Sequence, residues 1–230
     1  MNLCGAISAQ GGVVVAADSR TSTGSYIANR TSDKLTPVAE RIYTCRSGSA
    51  ADTQAISDYV RLYLSHYTSD TGKEPSVKVA AHLFKSMCYG NKDRLTAGII
   101  CGGALRPVRR ALPVLLPSTS FDTTPHVVAA GWDEANGGQV YSIAPFSGAM
   151  VREAMSISGS GSTYVYGYID ANFREGMSKE ECEEFCKTTV SLAMARDGSS
   201  GGVIRMATIT KEGVNRVYIS NHDIPRHYQG

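Results

Sequence analysis

Along the chain the apolar positions switch between strand and helix periods. Residues 11–46 hold short runs of strand character, GGVVVAAD, SYIANR and RIYTCRS, separated by Gly, Ser and Thr turns. GGVVVAADSR predicts a buried strand running into a charged turn, while the lead-in MNLCGAISAQ carries no clear pattern. The period then becomes helical. SAADTQAISDYVRLYLSHY sets Ile56, Tyr59, Tyr63 and Tyr67 on one face, with Ser49 as N-cap. After TSDTGKEPS, the segment VKVAAHLFKSMCYGN predicts a second helix with a stripe through Val79, Leu83 and Met87. Strand character returns at AGIIC and GGQVYSIA, followed by GAMVREAMSISGSG. STYVYGYIDANFREG reads as a third helix. SKEE opens a fourth with a capping box from Ser178 to Glu181, running through FCKTTVSLAMARD. GGVIRMATIT and GVNRVYISN form a closing hairpin joined at Lys211, Glu212 and Gly213.

Helices gathered between groups of strands predict an α+β layered sandwich in a single domain over 1–230, not alternating βαβ units. One stretch stands outside the pattern. Residues 102–129, GGALRPVRRALPVLLPSTSFDTTPHVVA, carry four of the eight prolines and three arginines. Pro107, Pro113 and Pro117 interrupt either period. A loop of this length without its own elements is uncommon inside a compact domain. The expectation is an atypical, solvated insertion, because its removal leaves the smooth strand and turn AGIICAGWDEANGGQVYSI, as if unspliced sequence had been translated. A partner-binding arm is the rival reading.

Composition excludes more than it selects. At 230 residues the chain can bury a sizeable core, and 42% hydrophobic with 19% charged residues is ordinary for a soluble protein. A net charge of +2 gives no electrostatic case for nucleic acid or an anionic membrane. No apolar run approaches a bilayer span, and the N-terminus lacks a secretory signal, so a cytoplasmic or nuclear protein is expected. Six cysteines, Cys4, Cys45, Cys88, Cys101, Cys182 and Cys186, include no CxxC, so reduced thiols are expected and no metal or other cofactor.

Polar residues collect where strands end. Asp18, Ser19 and Arg20 close the first strand, and Asp33 and Lys34 lie in TSDKL. Ser47, Gly48 and Ser49 precede the first helix, Ser160 lies in SGSGS, and Asp197 to Ser200 form DGSS. An Asp–Lys pair at a strand end can tune a nucleophile, and Gly48 offers backbone N–H groups to an oxyanion. No histidine serves as general base: His66 and His82 lie on helices, His126 in the irregular stretch, His222 and His227 near the tail. The residues alone therefore indicate an α+β protein with a hydrolytic site and no identifiable nucleophile; each triplet is equally at home as surface ion pairing or turn.

Taken as an ordered set, GGVVVAADSRTSTGSYIANRTSDKLTPV, CRSGSAADTQ, GGQVYSI, SGSGSTYVYGYID, GMSKEEC and ARDGSSGGVIR resemble the eukaryotic proteasome core-particle β subunits. The likeness runs from about residue 5 to 220, outside the irregular stretch, and is nearest the caspase-like (type-1) class that cleaves after acidic residues. It implies a four-layer αββα sandwich of the N-terminal-nucleophile hydrolase type. It also implies assembly with other α and β subunits in stacked rings, and unfolded polypeptides as substrates. In that family a propeptide is removed, leaving a threonine whose hydroxyl attacks the peptide carbonyl. Its α-amino group, with an ordinary pKa near 7.7–8.0, serves as base. By motif match, Lys34 polarises the hydroxyl and Asp18 orients Lys34. Asp197, Ser160 and Ser200 surround the terminal amine, and Gly48 donates to the oxyanion. Arg46 lines the pocket for an acidic side chain, and Thr21, Ser32 and Ala50 match other pocket or substrate-strand positions.

The departure is at the front. Counting back from GGVVVAADSR, the threonine's place falls on Asn2, and the first threonine in the chain is Thr21. Cys4 lies two residues too close to Asp18, a displacement of roughly 6–7 Å along a strand, beyond the tolerance of attack geometry. Three expectations follow. The first is an active threonine endopeptidase whose propeptide and threonine are missing from the sequence as written. The second is a non-catalytic structural ring subunit, and the third a free-standing acylase or binding protein on the same fold.

Overall fold

The computed structural model describes residues 3–95, 126–144 and 147–227. Two five-stranded antiparallel sheets stack face to face, each covered on its outer face by helices. The first sheet holds β1 (Cys4–Ala9), β2 (Gly12–Ala17), β10 (Met155–Ser158), β11 (Ile204–Thr210) and β12 (Gly213–Ile219), ordered β10-β1-β2-β11-β12. The second holds β5 (Leu35–Ala39), β6 (Ile42–Ser47), β7 (His126–Asp133), β8 (Gly137–Ala144) and β9 (Ala149–Glu153), in chain order. A ribbon of β3 (Thr21–Thr23) and β4 (Tyr26–Asn29) stands apart. The helices are α1 (Ala50–Thr71), α2 (Val77–Gly90), the one-turn α3 (Lys92–Leu95), α4 (Ser162–Asn172) and α5 (Lys179–Arg196). This is the αββα sandwich.

Three cores separate the four layers. Leu3, Ile7, Val14 and Ala16 meet α4 and α5 through Val165, Ile169, Phe185 and Val190, with Cys182 and Cys186 among them. Ile56, Val60, Leu64, Phe84 and Cys88 of α1 and α2 pack on Ile42, Val127, Ala129 and Tyr141. Between the sheets lie Ala6, Val13, Val15, Leu35, Val128, Val140 and Ile209, with Cys4 and Cys45. A strand buried on both faces reads as a continuous apolar run, which is why Gly12–Ala17 is so legible.

Local signals hold where the sequence placed them. Ser49 caps α1, its side chain accepting from the Asp52 N–H. At α5 the Ser178 hydroxyl accepts from Glu181 N at 3.2 Å and Glu181 Oε2 from Ser178 N at 2.9 Å, the reciprocal pair of a capping box. Pro37 is tolerated because β5 is an edge strand, where a missing N–H costs no ladder bond.

Four expectations need correction. The lead-in is strand β1, held between β2 and β10. The buried stripe of α1 is Ile56, Val60 and Leu64, while Tyr59 and Tyr63 are 60% and 54% exposed, their hydroxyls reaching water. On α2 the buried residues are Val77, Ala80, Ala81, Phe84 and Cys88, with Val79, Leu83 and Met87 at the margin. Finally, residues 126–129 are not loop. They begin β7, the central strand of the second sheet, with Val127 and Ala129 facing the helices and Val128 and Ala130 facing the first sheet. AGIIC and most of the irregular stretch (96–125) lie outside the described residues.

Candidate functional site

β1 runs antiparallel to both its neighbours, so Cys4 at its start is level with Ala17 at the end of β2 and Ser158 at the end of β10. The Asp18 N–H donates to the Leu3 carbonyl at 3.3 Å, docking the front of β1 beside Asp18. Asn2 itself lies outside the described residues. Cys4 is fully buried in the core between the sheets, across from Cys45, whose thiol donates to the Gly5 carbonyl at 3.7 Å.

Asp18 and Lys34 are both buried and form an ion pair, Nζ to Oδ1, at 2.6 Å. Asp18 Oδ2 accepts from Gly201 N at 2.9 Å and Arg20 N at 3.2 Å. Burial raises the Asp18 carboxyl above the usual carboxylate value, against the pull of Lys34 and these hydrogen bonds. Burial likewise lowers the Lys34 ammonium to about 8, although Asp18 favours its charge. In both groups desolvation outweighs mutual attraction. The result is an ammonium held less firmly protonated than an exposed lysine, beside the end of β2.

A second carboxylate gathers hydroxyls. Asp197, buried as the C-cap of α5, accepts from Ser160 Oγ at 2.7 Å and Ser200 Oγ at 2.6 Å on Oδ2, and from Ser199 N at 3.0 Å on Oδ1. Ser200 is followed by Gly201, whose N–H reaches Asp18, so the two carboxylate clusters are joined through one peptide step. Ser47 Oγ donates to Ser158 Oγ at 3.1 Å, bringing the end of β6 against the end of β10. Gly48 follows at φ 94°, a left-handed turn into α1 that glycine adopts without strain.

The structure therefore brings Asp18, Lys34, Ser160, Asp197, Ser200 and Gly48 to one end of the sandwich. Arg46 leaves β6 there, its Nη2 donating to the Asp33 carbonyl at 3.1 Å. Among the described residues it forms no ion pair, and its buried Nε has no hydrogen-bond partner; burial lowers its affinity for its proton. Thr21 Oγ1 donates to Ser32 Oγ at 2.9 Å, tying β3 to the approach to Lys34. Ala50, exposed, begins α1. Sequence reasoning gave no role to Ser19, Arg20 or Gly201. Arg20 donates to the Gly198 carbonyl at 2.7 Å. The doublet Gly201–Gly202 was the available signal, because a Cβ on either would overlap Arg20 or Ser19. Among the described residues no three His, Cys, Asp or Glu side chains converge as metal ligands, and no described helix is long and apolar enough to cross a membrane.

Residues 4–121 and 115–209 match the family described as Proteasome subunit, the two matched segments meeting inside the irregular stretch. Over 225 residues the chain is 50% identical to the proteasome subunit beta type-6 of Dictyostelium discoideum, covering 98% of this chain and 92% of that one. It is 49% identical over 212 residues to the proteasome subunit beta type-1 of Saccharomyces cerevisiae, covering 92% and 85%. The proteasome subunit beta type-9 of Bos taurus is 41% identical over 223 residues, covering 97% and 88%.

Proposed function

Because the chain belongs to the proteasome subunit family, as a eukaryotic beta subunit, we propose that its site is built for threonine-type peptide cleavage after acidic residues. Arg46 carries this reading. Its guanidinium stands at the site's end of β6 without a carboxylate partner among the described residues, held only by the Asp33 carbonyl. An anionic substrate side chain would supply the missing counter-charge.

The chemistry follows from the rest of the site. A threonine hydroxyl at the place of Asn2 would lie beside Lys34, whose ammonium favours the developing alkoxide. The α-amino group, bordered by the Asp197 cluster, would take the hydroxyl proton as the oxygen attacks the substrate carbonyl. It would then return that proton to the leaving amine. The Gly48 turn would face the carbonyl oxygen as it becomes an oxyanion. Proteasome subunits act together, so the chain would work in rings with other subunits, on unfolded polypeptides, in cytoplasm and nucleus.

A second reading has its own observation: asparagine at position 2 offers an amide, not a nucleophile. On that reading the chain is a structural ring subunit that keeps the site's frame. One experiment separates them. Core particles carrying this chain, and the same chain with Met1 removed and Asn2→Thr, are assayed with fluorogenic peptides ending in Asp or Leu. Turnover of the Asp peptide by the threonine form alone, lost by about tenfold or more in Arg46→Ala with the Leu peptide unaffected, supports the acidic site. Inertness of the threonine form leaves the structural subunit.

A further inference from the structure

The Asp18–Lys34 pair and the Asp197 cluster stand on segments far apart in sequence, and a side chain belonging to neither joins them. Ser19 is fully buried. Its N–H donates to the Gly201 carbonyl at 3.1 Å, and its carbonyl accepts from Ser32 N at 3.0 Å. Its hydroxyl donates to the Arg30 carbonyl and accepts from Val203 N at 2.8 Å. Every polar group of the residue is engaged, and the bonds run to two different loops. One loop, 30–32, leads to Lys34. The other, 201–203, follows Ser200 and places the Gly201 N–H on Asp18. There is no slack at the junction: Gly202 sits at φ 86°, where a Cβ would overlap both the Arg30 carbonyl oxygen and Ser19 Oγ.

We propose that Ser19 is a positioning residue, whose hydroxyl clamps the 30–32 loop to the 201–203 loop and so holds Lys34, Asp18 and the Asp197 cluster in one geometry. It touches no reacting atom. Losing the hydroxyl leaves the Val203 N–H and the Arg30 carbonyl without partners in a buried place, and water must enter to satisfy them. Water entering there rehydrates Lys34, which is held low by burial, with Asp18, Cys4 and Arg20 as its other electrostatic neighbours. The proposal rests on reading these residues as one hydrolytic site.

The test uses the full chain with lysine labelled at Cε, titrated by NMR, with amide hydrogen exchange alongside. In the unmodified chain Lys34 should titrate well below an exposed lysine, at about 8. In Ser19→Ala it should move upward by about one pH unit or more, and the Ser32 and Val203 amides should exchange roughly tenfold faster. A folded Ser19→Ala chain in which Lys34 stays put overturns the proposal. If that variant does not fold, exchange in the unmodified chain decides. One clamp requires Ser32 and Val203 to open together, with protection equal within about threefold, and a gap of roughly tenfold or more overturns it. Neither readout depends on turnover. An inert particle that passes both sinks the hydrolytic reading and leaves the clamp; an active one that fails them does the reverse.

Discussion

Neutralising the buried ion pair through the joint change Asp18→Asn and Lys34→Met should stabilise the fold while removing the groups read as catalytic. Lys34 is lowered from 10.5 to about 8 on folding, so the folded chain holds its proton less tightly than the unfolded one. The unfolded chain binds more protons between those values, and stability therefore rises with pH across that window and is lost as pH falls towards about 8. At about pH 7.5 the burial of Lys34 costs on the order of 3 kcal/mol, and at about pH 9.5 roughly half of that. A neutral pair of similar volume escapes that cost, in line with buried ion pairs elsewhere, whose apolar replacement is neutral or stabilising by about 1–4 kcal/mol. Urea unfolding of the double variant, set against the parent at both pH values, reads the difference directly. The double variant should be more stable by about 1–3 kcal/mol at the lower pH, with the gap falling by roughly half at the higher. A double variant less stable than the parent at about pH 7.5, or a gap that does not change with pH, refutes the reasoning.

Gly202→Ala should cost about 3 kcal/mol or more, since its Cβ overlaps the Arg30 carbonyl, whereas Gly11→Ala, at φ 77° in open space, should cost only about 1 kcal/mol, both read by denaturant midpoint. Val128→Ala should cost about 1.5–3 kcal/mol because that residue is 2% exposed between the sheets; no change in thermal midpoint would return 126–129 to a solvated insertion. Ser178→Ala removes the capping box of α5 and should cost about 1 kcal/mol, measured as faster amide exchange confined to the first turn. Phe84→Ala, fully buried between α2 and the second sheet, should cost about 3–5 kcal/mol in the same unfolding assay.

What could be read from the sequence was local. The capping box at Ser178, the cap at Ser49, the strand GGQVYSIA and the closing hairpin depend on residues within a few positions of each other. The failures were of a different kind. On α1 the tyrosines share the helical period, and only the neighbouring layer decides that Ile56, Val60 and Leu64 turn inward. VVAA at 127–130 follows a proline-rich stretch, and its place in the sheet is set by the lateral partners β6 and β8 through a register that no short window contains. The site divides the same way. Asp18, Lys34, Ser160, Asp197 and Ser200 were legible as an ordered set by resemblance to a family. Ser19 was not, because the partner of its hydroxyl lies 184 residues away.

The thiols offer a way to watch each layer separately. All five described cysteines are free and buried: Cys182 and Cys186 on the inner face of α5, Cys88 on that of α2, Cys4 and Cys45 between the sheets. Burial pushes Cys88 and Cys182 up to about 11, and Cys45 and Cys186 higher still. At these four thiolate is scarce in the closed protein, and all five are shielded from solvent, so an alkylating reagent acts only when a layer parts. Rates of alkylation, resolved peptide by peptide, would time the breathing of the three interfaces in a single unmodified sample, with no reporter group added.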